Sequence, residues 1–433
     1  MIKDIIKYSK ENENKVVQWR RDFHKYAESG WTEFRTTSII AKHLEDLGYE
    51  IHLGEKIIKK DARMGLPSDK ELKKHFVRAK EQGAIEKYLP AMEGGFTGVV
   101  GVLNLGPGPV IGMRFDIDAV DMKESDNPDR RAVKEGYVSI NDEAMHSCGH
   151  DGHAAIGMGV AEVIMKIKDK LSGTIKLIFQ PAEEGVRGAL SLVEAGVVDD
   201  VTHLFASHLG SGTPTGSLAC GRGNFLATNK FDAFFKGVAS HAGGSPQKGE
   251  NALVAAANAV MNLYAITRNS DGPTRVNVGR MSAGSGRNVI APNAHLAIET
   301  RGQTTELSEF MYEKAMRILE HSAKMHGCEV EIKAMGGAQS ASSNQELAER
   351  VKIVAEKSKM FKLIDVSQGK GGGSEDYTYM MKRVQSNGGQ ATFMGLGADL
   401  GGWAHHTELF DIDEKALVQG VSMFSLMAYD ILQ

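Results

Sequence analysis

Apolar positions recur at helical spacing through residues 2–48, as in Val16, Val17, Trp19 and Phe23, then Ile39, Ile40, Leu44 and Leu47. Two helices are predicted there, with RRDFHKYAESG between them. From Thr97 the pattern changes to short apolar runs: TGVVGVLNL, PVIGMRFDID ending at Asp118, TIKLIFQ and THLFASH. A helix starting near Ala154 is predicted between the second and third of these. Such runs alternating with helices predict an α/β fold with a mostly parallel sheet covered on both faces. Ligands of such sheets collect at the carboxyl ends of the strands. The polar residues fall there: Asp116 and Asp118 after one strand, Glu183 and Glu184 after the next, His208 after a third.

Two segments interrupt this series. Residues 59–94 are lysine-rich and helix-prone, with sparse apolar positions at Leu72, Phe76, Ala79 and Ile85. They read as a helical insertion at the edge of the first domain, its charges a solvated face. Around Asn229 a second pattern begins: strand 229–237, an Ala-rich helix over 250–268, strands at RVNVGRM and AHLAIETRG, a helix over 305–326, and the strand CEVEIKAM. That order is the split βαβ arrangement of a ferredoxin-like domain. The chain therefore divides into a first domain of 1–226 and 339–433 and an inserted domain of 227–338. The helix from Asn344, the stretch GKGGGSEDYTYMM and a terminal strand and helix return to the first sheet. GGG at 371–373 precedes SED with no lysine-bearing phosphate loop, which argues against nucleotide binding.

A length of 433 residues suits two domains. With 51 basic against 55 acidic residues the net charge is only -4, so neither nucleic acid nor an anionic membrane is expected as partner. The three cysteines, Cys148, Cys220 and Cys328, are odd in number and far apart, which predicts a reducing compartment without a disulfide framework. The start MIKDIIKYSKENENK lacks the apolar core of a signal peptide, and no apolar run approaches the ~20 residues of a membrane span. A cytoplasmic enzyme is the expectation.

The densest chemistry lies in MHSCGHDGH, residues 145–153, with three histidines, a cysteine and an aspartate. Cys148 and His150, one residue apart, point the same way on an extended strand or turn and can reach one metal together, while Gly149 and Gly152 let the backbone bend. Neutral imidazole suits Zn, Mn, Co or Ni, while the thiolate adds charge and softness. Of the adjacent pair Glu183 and Glu184, one carboxylate can bind metal while the other serves as general base. His208 and His406 add imidazoles, with His405 the weaker of the last pair. His24 precedes a polar turn with no partner nearby and reads as structural or as part of a substrate rim.

MHSCGHDGH, LIFQPAEEG, ASHLG, SHAGGSP, GSGRNVI and HHTELFDIDE together resemble the metallo-aminoacylases related to hippurate hydrolase and the plant auxin-conjugate amidohydrolases. WRRDFHKYAESGWTEFRT, the insertion beginning RMGLP, EGGFTG and NVGRMSAGSGRN are similar to the aminobenzoyl-glutamate hydrolase group within that family. The resemblance covers nearly the whole chain. It implies a metallopeptidase-type catalytic domain with an inserted lid or dimerisation domain. By the same resemblance Cys148, His150, Glu184, His208 and His406 hold two divalent ions, Mn favoured and Zn, Co or Ni as alternatives. Glu183 is then the base, and Asp118 orients a metal ligand. Asp116 stands where distant relatives use a ligand histidine, with Cys148 bridging instead. His241 and Asn288 stabilise the oxyanion, and Arg301 pairs with the substrate carboxylate. The implied activity is metal-assisted hydrolysis of an N-acyl amino acid, p-aminobenzoyl-glutamate first, with indole-3-acetyl-aspartate or a general hippurate-like substrate as alternatives. The implied partners are a second copy or a related second subunit. A reading of another class makes the chain a component that completes a partner's site.

Overall fold

The computed structural model describes residues 1–210, 212–369 and 373–433. They form two compact units: Met1–Gly223 with 341–369 and Tyr379–Gln433, and Asn224–Ser340 with 373–378. Of the triple glycine at 371–373, residues 371 and 372 lie outside the described residues.

The first unit opens with three helices, α1 (Ile2–Glu11), α2 (Glu13–Lys25) and α3 (Phe34–Leu47), rather than two. RRDFHK belongs to α2. The inner face of that helix carries buried Arg20 and His24 beside Val16 and Phe23, so its apolar spacing understates the burial. Next come β1 (Glu50–His52), α4 (Asp69–Glu81), the short α5 (Leu89–Met92), β2 (Val99–Asn104), β3 (Val110–Asp116), the short α6 (Arg131–Lys134), α7 (His150–Ile167), β4 (Thr174–Gln180), α8 (Ala189–Glu194), β5 (His203–Leu209) and β6 (Ser217–Ala219). The second unit supplies β7 (Ala227–Lys236), α9 (Ala252–Tyr264), β8 (Thr274–Ala283), β9 (Asn293–Gly302), α10 (Thr305–Met325) and β10 (Glu329–Ala338). Then follow α11 (Gln345–Ser358), β11 (Leu363–Asp365), α12 (Tyr377–Ser386), β12 (Gln390–Leu396) and α13 (Lys415–Leu432).

The first unit's sheet runs β1-β2-β4-β3-β5-β12-β6-β11. Its central four strands, β4, β3, β5 and β12, are parallel. Antiparallel pairs flank them at β1/β2, β2/β4 and β12/β6. Helix α7 is buried over most of its circumference, as expected of a helix apolar all round. A Cβ at Gly157 would stand 2.6 Å from Phe179 and 2.7 Å from Phe115, so this helix presses against the sheet at a distance only glycine permits. The insertion lies between the paired strands β1 and β2. Ser68 Oγ accepts from Glu71 N at 3.3 Å to cap α4, and Leu72 and Ala79 are buried while its lysines face outward.

The second unit is a four-stranded antiparallel sheet in the order β10-β7-β9-β8, the ferredoxin-like arrangement. Ala252, Ala255, Ala256 and Ala259 of α9 and Met311, Ala315 and Leu319 of α10 join Phe231, Phe235, Leu296 and Ile298 in a separate core.

Candidate metal centre

The cluster is built where β3, β4 and β5 end. Asp118, just beyond β3, organises it. Its Oδ1 accepts from Glu183 N at 3.0 Å, its Oδ2 from Glu184 N at 2.9 Å, and its carbonyl from His150 Nδ1 at 2.9 Å. The glutamate loop is unusual backbone: Ala182 and Val186 have φ of 53° and 61°, a region non-glycine residues seldom occupy. Such a loop persists only where its surroundings hold it. Besides Asp118, buried Glu33 does so, accepting from Ala182 N at 2.8 Å and from the Thr97 hydroxyl at 2.6 Å. Burial, then the charge of Asp118, pushes the Glu33 carboxyl up to about 8.

Helix α7 begins at His150, not near Ala154, and Gly149 precedes it at φ 91°. Cys148 and His150 therefore project from a turn and a first helical residue rather than from a strand. Because His150 Nδ1 donates to Asp118, its Nε2 points elsewhere: it is buried without a hydrogen-bond partner among the described residues, 3.8 Å from Asp116 Oδ1 and 3.9 Å from Glu183 Oε2. His208 Nδ1 donates to the Leu209 carbonyl at 2.8 Å, which leaves Nε2 facing Cys148 Sγ at 3.4 Å. His406, at φ 60°, brings its Nε2 to 3.2 Å from Glu184 Oε1.

Three overlapping groups result: Cys148, His150 and His208; Cys148, Glu184 and His406; and His150, Glu183 and Glu184, with the ligand atoms of each within 4.8 Å of one another. Cys148 is common to the first two. Burial holds His208 well below the ordinary histidine range, so its imidazole is neutral, the form that ligates metal. Burial opposes a charge on His150 as well, but Asp116 and its other neighbours outweigh it and raise this ring well above that range. Positive charge is thus favoured at the spot its Nε2 faces. Burial pushes the Cys148 thiol up to about 12, outweighing His150. Burial opposes ionisation of Glu184 too, but His406 and His150 outweigh it and hold its carboxyl low. A buried thiol, imidazole nitrogens and a carboxylate around an unpartnered ring nitrogen fit a divalent cation, which would convert the thiol to thiolate and take the proton's place on His150. They are candidate metal-ligating groups.

Two further histidines of MHSCGHDGH lie beside these groups, and one of them, His153, forms another possible donor group with Asp116 and His150. His153 Nδ1 bonds Asp116, and its Nε2 accepts from Leu209 N at 3.0 Å, so the ring ties the end of β5 to β3. Asp116 is also paired with Arg114, and although burial works against its charge, Arg114, His150 and His153 hold it well below the usual carboxylate range. His153 is the functional neighbour that spacing arguments pass over, although it stands in plain view as the third histidine of the motif. His146 is buried without a hydrogen-bond partner among the described residues, and burial pushes it down to about 3. His405 packs edge-on to His208 at 5.2 Å between ring centroids.

Beside the cluster lies a second buried assembly. Asp151 Oδ2 is 2.8 Å from Arg20 Nε and 2.7 Å from His24 Nδ1. His24 Nε2 meets Glu124 Oε1 at 3.0 Å, and Arg20 Nη2 meets Asp411 Oδ1 at 2.8 Å. His24 thus does have partners, about a hundred residues away or more in sequence, and its role is structural. Burial lowers its pKa, but Glu124 and Asp151 outweigh that and raise it to about 9.

In the second unit, His241 Nδ1 accepts from Gly243 N at 3.1 Å and Gly244 N at 2.9 Å, which leaves Nε2 carrying the proton of the neutral ring. The Asn288 carbonyl accepts from Ala242 N at 2.9 Å, so these two residues share one patch. Arg301 is not part of it. It sits at the far end of β9, bound to Glu299 at 2.9 Å, and β9 begins near that patch at Asn293.

A parallel-centred α/β unit carrying clustered Cys, His and Glu donors at its strand ends, with a ferredoxin-like insertion, defines a metallohydrolase of the dinuclear peptidase type. The chain belongs to peptidase family M20/M25/M40, whose model matches residues 112–430. It is 48% identical over 421 residues to the indole-3-acetyl-aspartic acid hydrolase of Enterobacter agglomerans, covering 95% of each chain. It is 45% identical over 419 residues to one of the p-aminobenzoyl-glutamate hydrolase subunits of Escherichia coli strain K12, covering 96% of this chain and 95% of that protein. A crystal structure of an aminobenzoyl-glutamate utilization protein from Klebsiella pneumoniae superposes with a TM-score of 0.86 at 41% identity, covering 98% of this chain and 97% of that one.

Proposed function

We propose that this chain hydrolyses the amide bond of an N-acyl amino acid, with p-aminobenzoyl-glutamate, cleaved to p-aminobenzoate and glutamate, as first substrate. Indole-3-acetyl-aspartate is the second reading, favoured by the relative of that name. The observation that carries the proposal is the sharing of Cys148 between two donor groups, which supports a pair of ions rather than one. Cys148, His150, Glu184, His208 and His406 would hold two divalent ions, Mn first. When bound, these would polarise the amide carbonyl and acidify water.

The chain's own residues do the rest. Glu183 takes a proton from the attacking water and returns it to the leaving nitrogen. Asp118 keeps His150 and both glutamates in register. We assign the amide oxyanion to the Nε2–H of His241 and to Asn288, supplied by the partner copy, and the substrate carboxylate to Arg301 of the chain that carries the metal cluster, whose planar fork matches it. A second copy or a related subunit is the proposed partner, supported by the place of β8 at the edge of its sheet and by Leu253, Val254, Met261 and Tyr264, exposed on α9. Three free cysteines fit a reducing cytoplasm.

The test is glutamate release from p-aminobenzoyl-glutamate, and aspartate release from indole-3-acetyl-aspartate, by the Mn-loaded full chain beside Glu183→Gln. Release by the wild type and not by the variant is expected. Silence on both substrates, alone and with an added second subunit, would overturn the reading.

A further inference from the structure

A cavity of about 490 Å³ lies within the first unit, and three of its walls are segments that adjoin residues of the candidate centre in the chain. Asp121 and Met122 follow Asp118 closely, Arg187 follows Glu184 by one turn, and Glu143 precedes MHSCGHDGH. The fourth wall is the insertion, through Pro67 and the α4 residues Lys74 and His75. The volume suits one aromatic group and its linker.

The charges lining it decide what enters. Lys74 Nζ stands 3.5 Å from Glu143, which also takes Arg78 at 2.8 Å. Arg187 spends Nε on the Glu184 carbonyl at 2.7 Å and Nη1 on the Gly65 carbonyl at 3.2 Å, with the guanidinium packed so tightly on Gly30 that a Cβ there would meet it at 2.4 Å. Lys74 is matched by Glu143 and, at 3.7 Å, by Glu71, while the donors of Arg187 are taken by backbone, so three lining carboxylates, Glu71, Asp121 and Glu143, outnumber the two cations. Asp121 has no such match: it is exposed and makes no hydrogen bond or ion pair among the described residues. His75, 8% exposed, keeps a buried Nδ1 without a partner in the same wall. A carboxylate entering here would meet the uncompensated Asp121, whereas an N–H donor would find an acceptor.

We infer that this cavity is the acyl-group subsite: it takes a planar aryl ring bearing an N–H donor, packed on Met122 and Pro67, with Asp121 accepting the N–H. The insertion is then the device that selects the acyl group. This deepens the amide-hydrolase reading and rests on it for the reaction, though not for binding.

The experiment is calorimetric binding of p-aminobenzoate and of benzoate to the full chain, repeated on Asp121→Ala and Met122→Ala, with kcat/KM for p-aminobenzoyl-glutamate and benzoyl-glutamate in parallel. The wild type is expected to prefer the amino compound about tenfold, the size of one hydrogen bond to a charged acceptor. Asp121→Ala should abolish that preference, and Met122→Ala should weaken both ligands alike. A preference unchanged in Asp121→Ala, or no preference in the wild type, overturns the subsite even if hydrolysis proceeds. A preference lost in Asp121→Ala without hydrolysis by any form keeps the subsite and removes the hydrolase reading.

Discussion

Two buried polar assemblies meet at the start of α7, and adjacent residues belong to each. His150 faces the candidate centre with a ring nitrogen that has no hydrogen-bond partner among the described residues, whereas Asp151 faces Arg20 and His24 with its charge matched on both sides. The donor cluster is mixed: burial keeps His208 neutral and the Cys148 thiol protonated, while neighbours of opposite charge keep His150 and Glu184 charged. The ionic assembly instead keeps His24 and Asp151 charged, because opposite charges, Glu124 foremost for one and Arg20 for the other, outweigh burial. Unpaired donors cost stability unless something fills them, while matched charges fasten segments to one another. One assembly is therefore a receptor for a cation and the other a clamp. The clamp joins α2, the 124–131 loop, α7 and the 411–414 segment that follows His406.

That distinction can be broken from either side. The largest effect is expected for Glu183→Gln, which should lower kcat by ~10²–10⁴-fold while metal content and melting temperature stay at wild-type values. A parallel loss of metal would mean that Glu183 is a ligand, not the base. Next, Arg20→Met should leave Asp151 buried without its strongest partner and cost about 3–5 kcal/mol in denaturant unfolding, with metal stoichiometry of the folded protein unchanged. An unaltered midpoint would show that the clamp carries no stability.

Much of this is legible in the chain. The strands of the parallel centre read as apolar runs because both faces are covered, and the ferredoxin-like order of the second unit follows from alternation and helix length alone. The last turns of helix α2 escape such a reading because Arg20 and His24 occupy core positions that a hydrophobic count scores as solvent-facing. The start of α7 reads late because Gly149, His150 and Gly152 hide the periodicity of its first turn. The clamp is invisible for another reason: Glu124, Asp151 and Asp411 are brought to α2 only by the tertiary fold. Glu33 sits in AESGWTE, where nothing in the spacing marks it.

The pH dependence of the clamp has a definite sign. The pKa of His24 is raised from the ordinary 6.5 to about 9, so its contribution is complete below pH 6.5 and is lost as pH rises through 9. Thermal unfolding should show a decline of about 3 kcal/mol across that window, and His24→Gln should flatten it. A wild-type profile that is flat from 6.5 to 9, or one that rises, would contradict a charged His24. The smallest effect is expected for His153→Asn, which frees the end of β5: metal affinity should fall ~10–100-fold with little change in melting temperature. Unchanged affinity would make the Asp116–His153–Leu209 linkage irrelevant to the centre.

The most direct test of the receptor assignment is the number of Mn(II) ions bound per chain at saturation, measured on the wild type and on Cys148→Ser. Two ions in the wild type, with both sites weakened together in the variant, is the result the shared thiolate predicts. One ion or none in the wild type, or a variant that binds two as tightly, would contradict it.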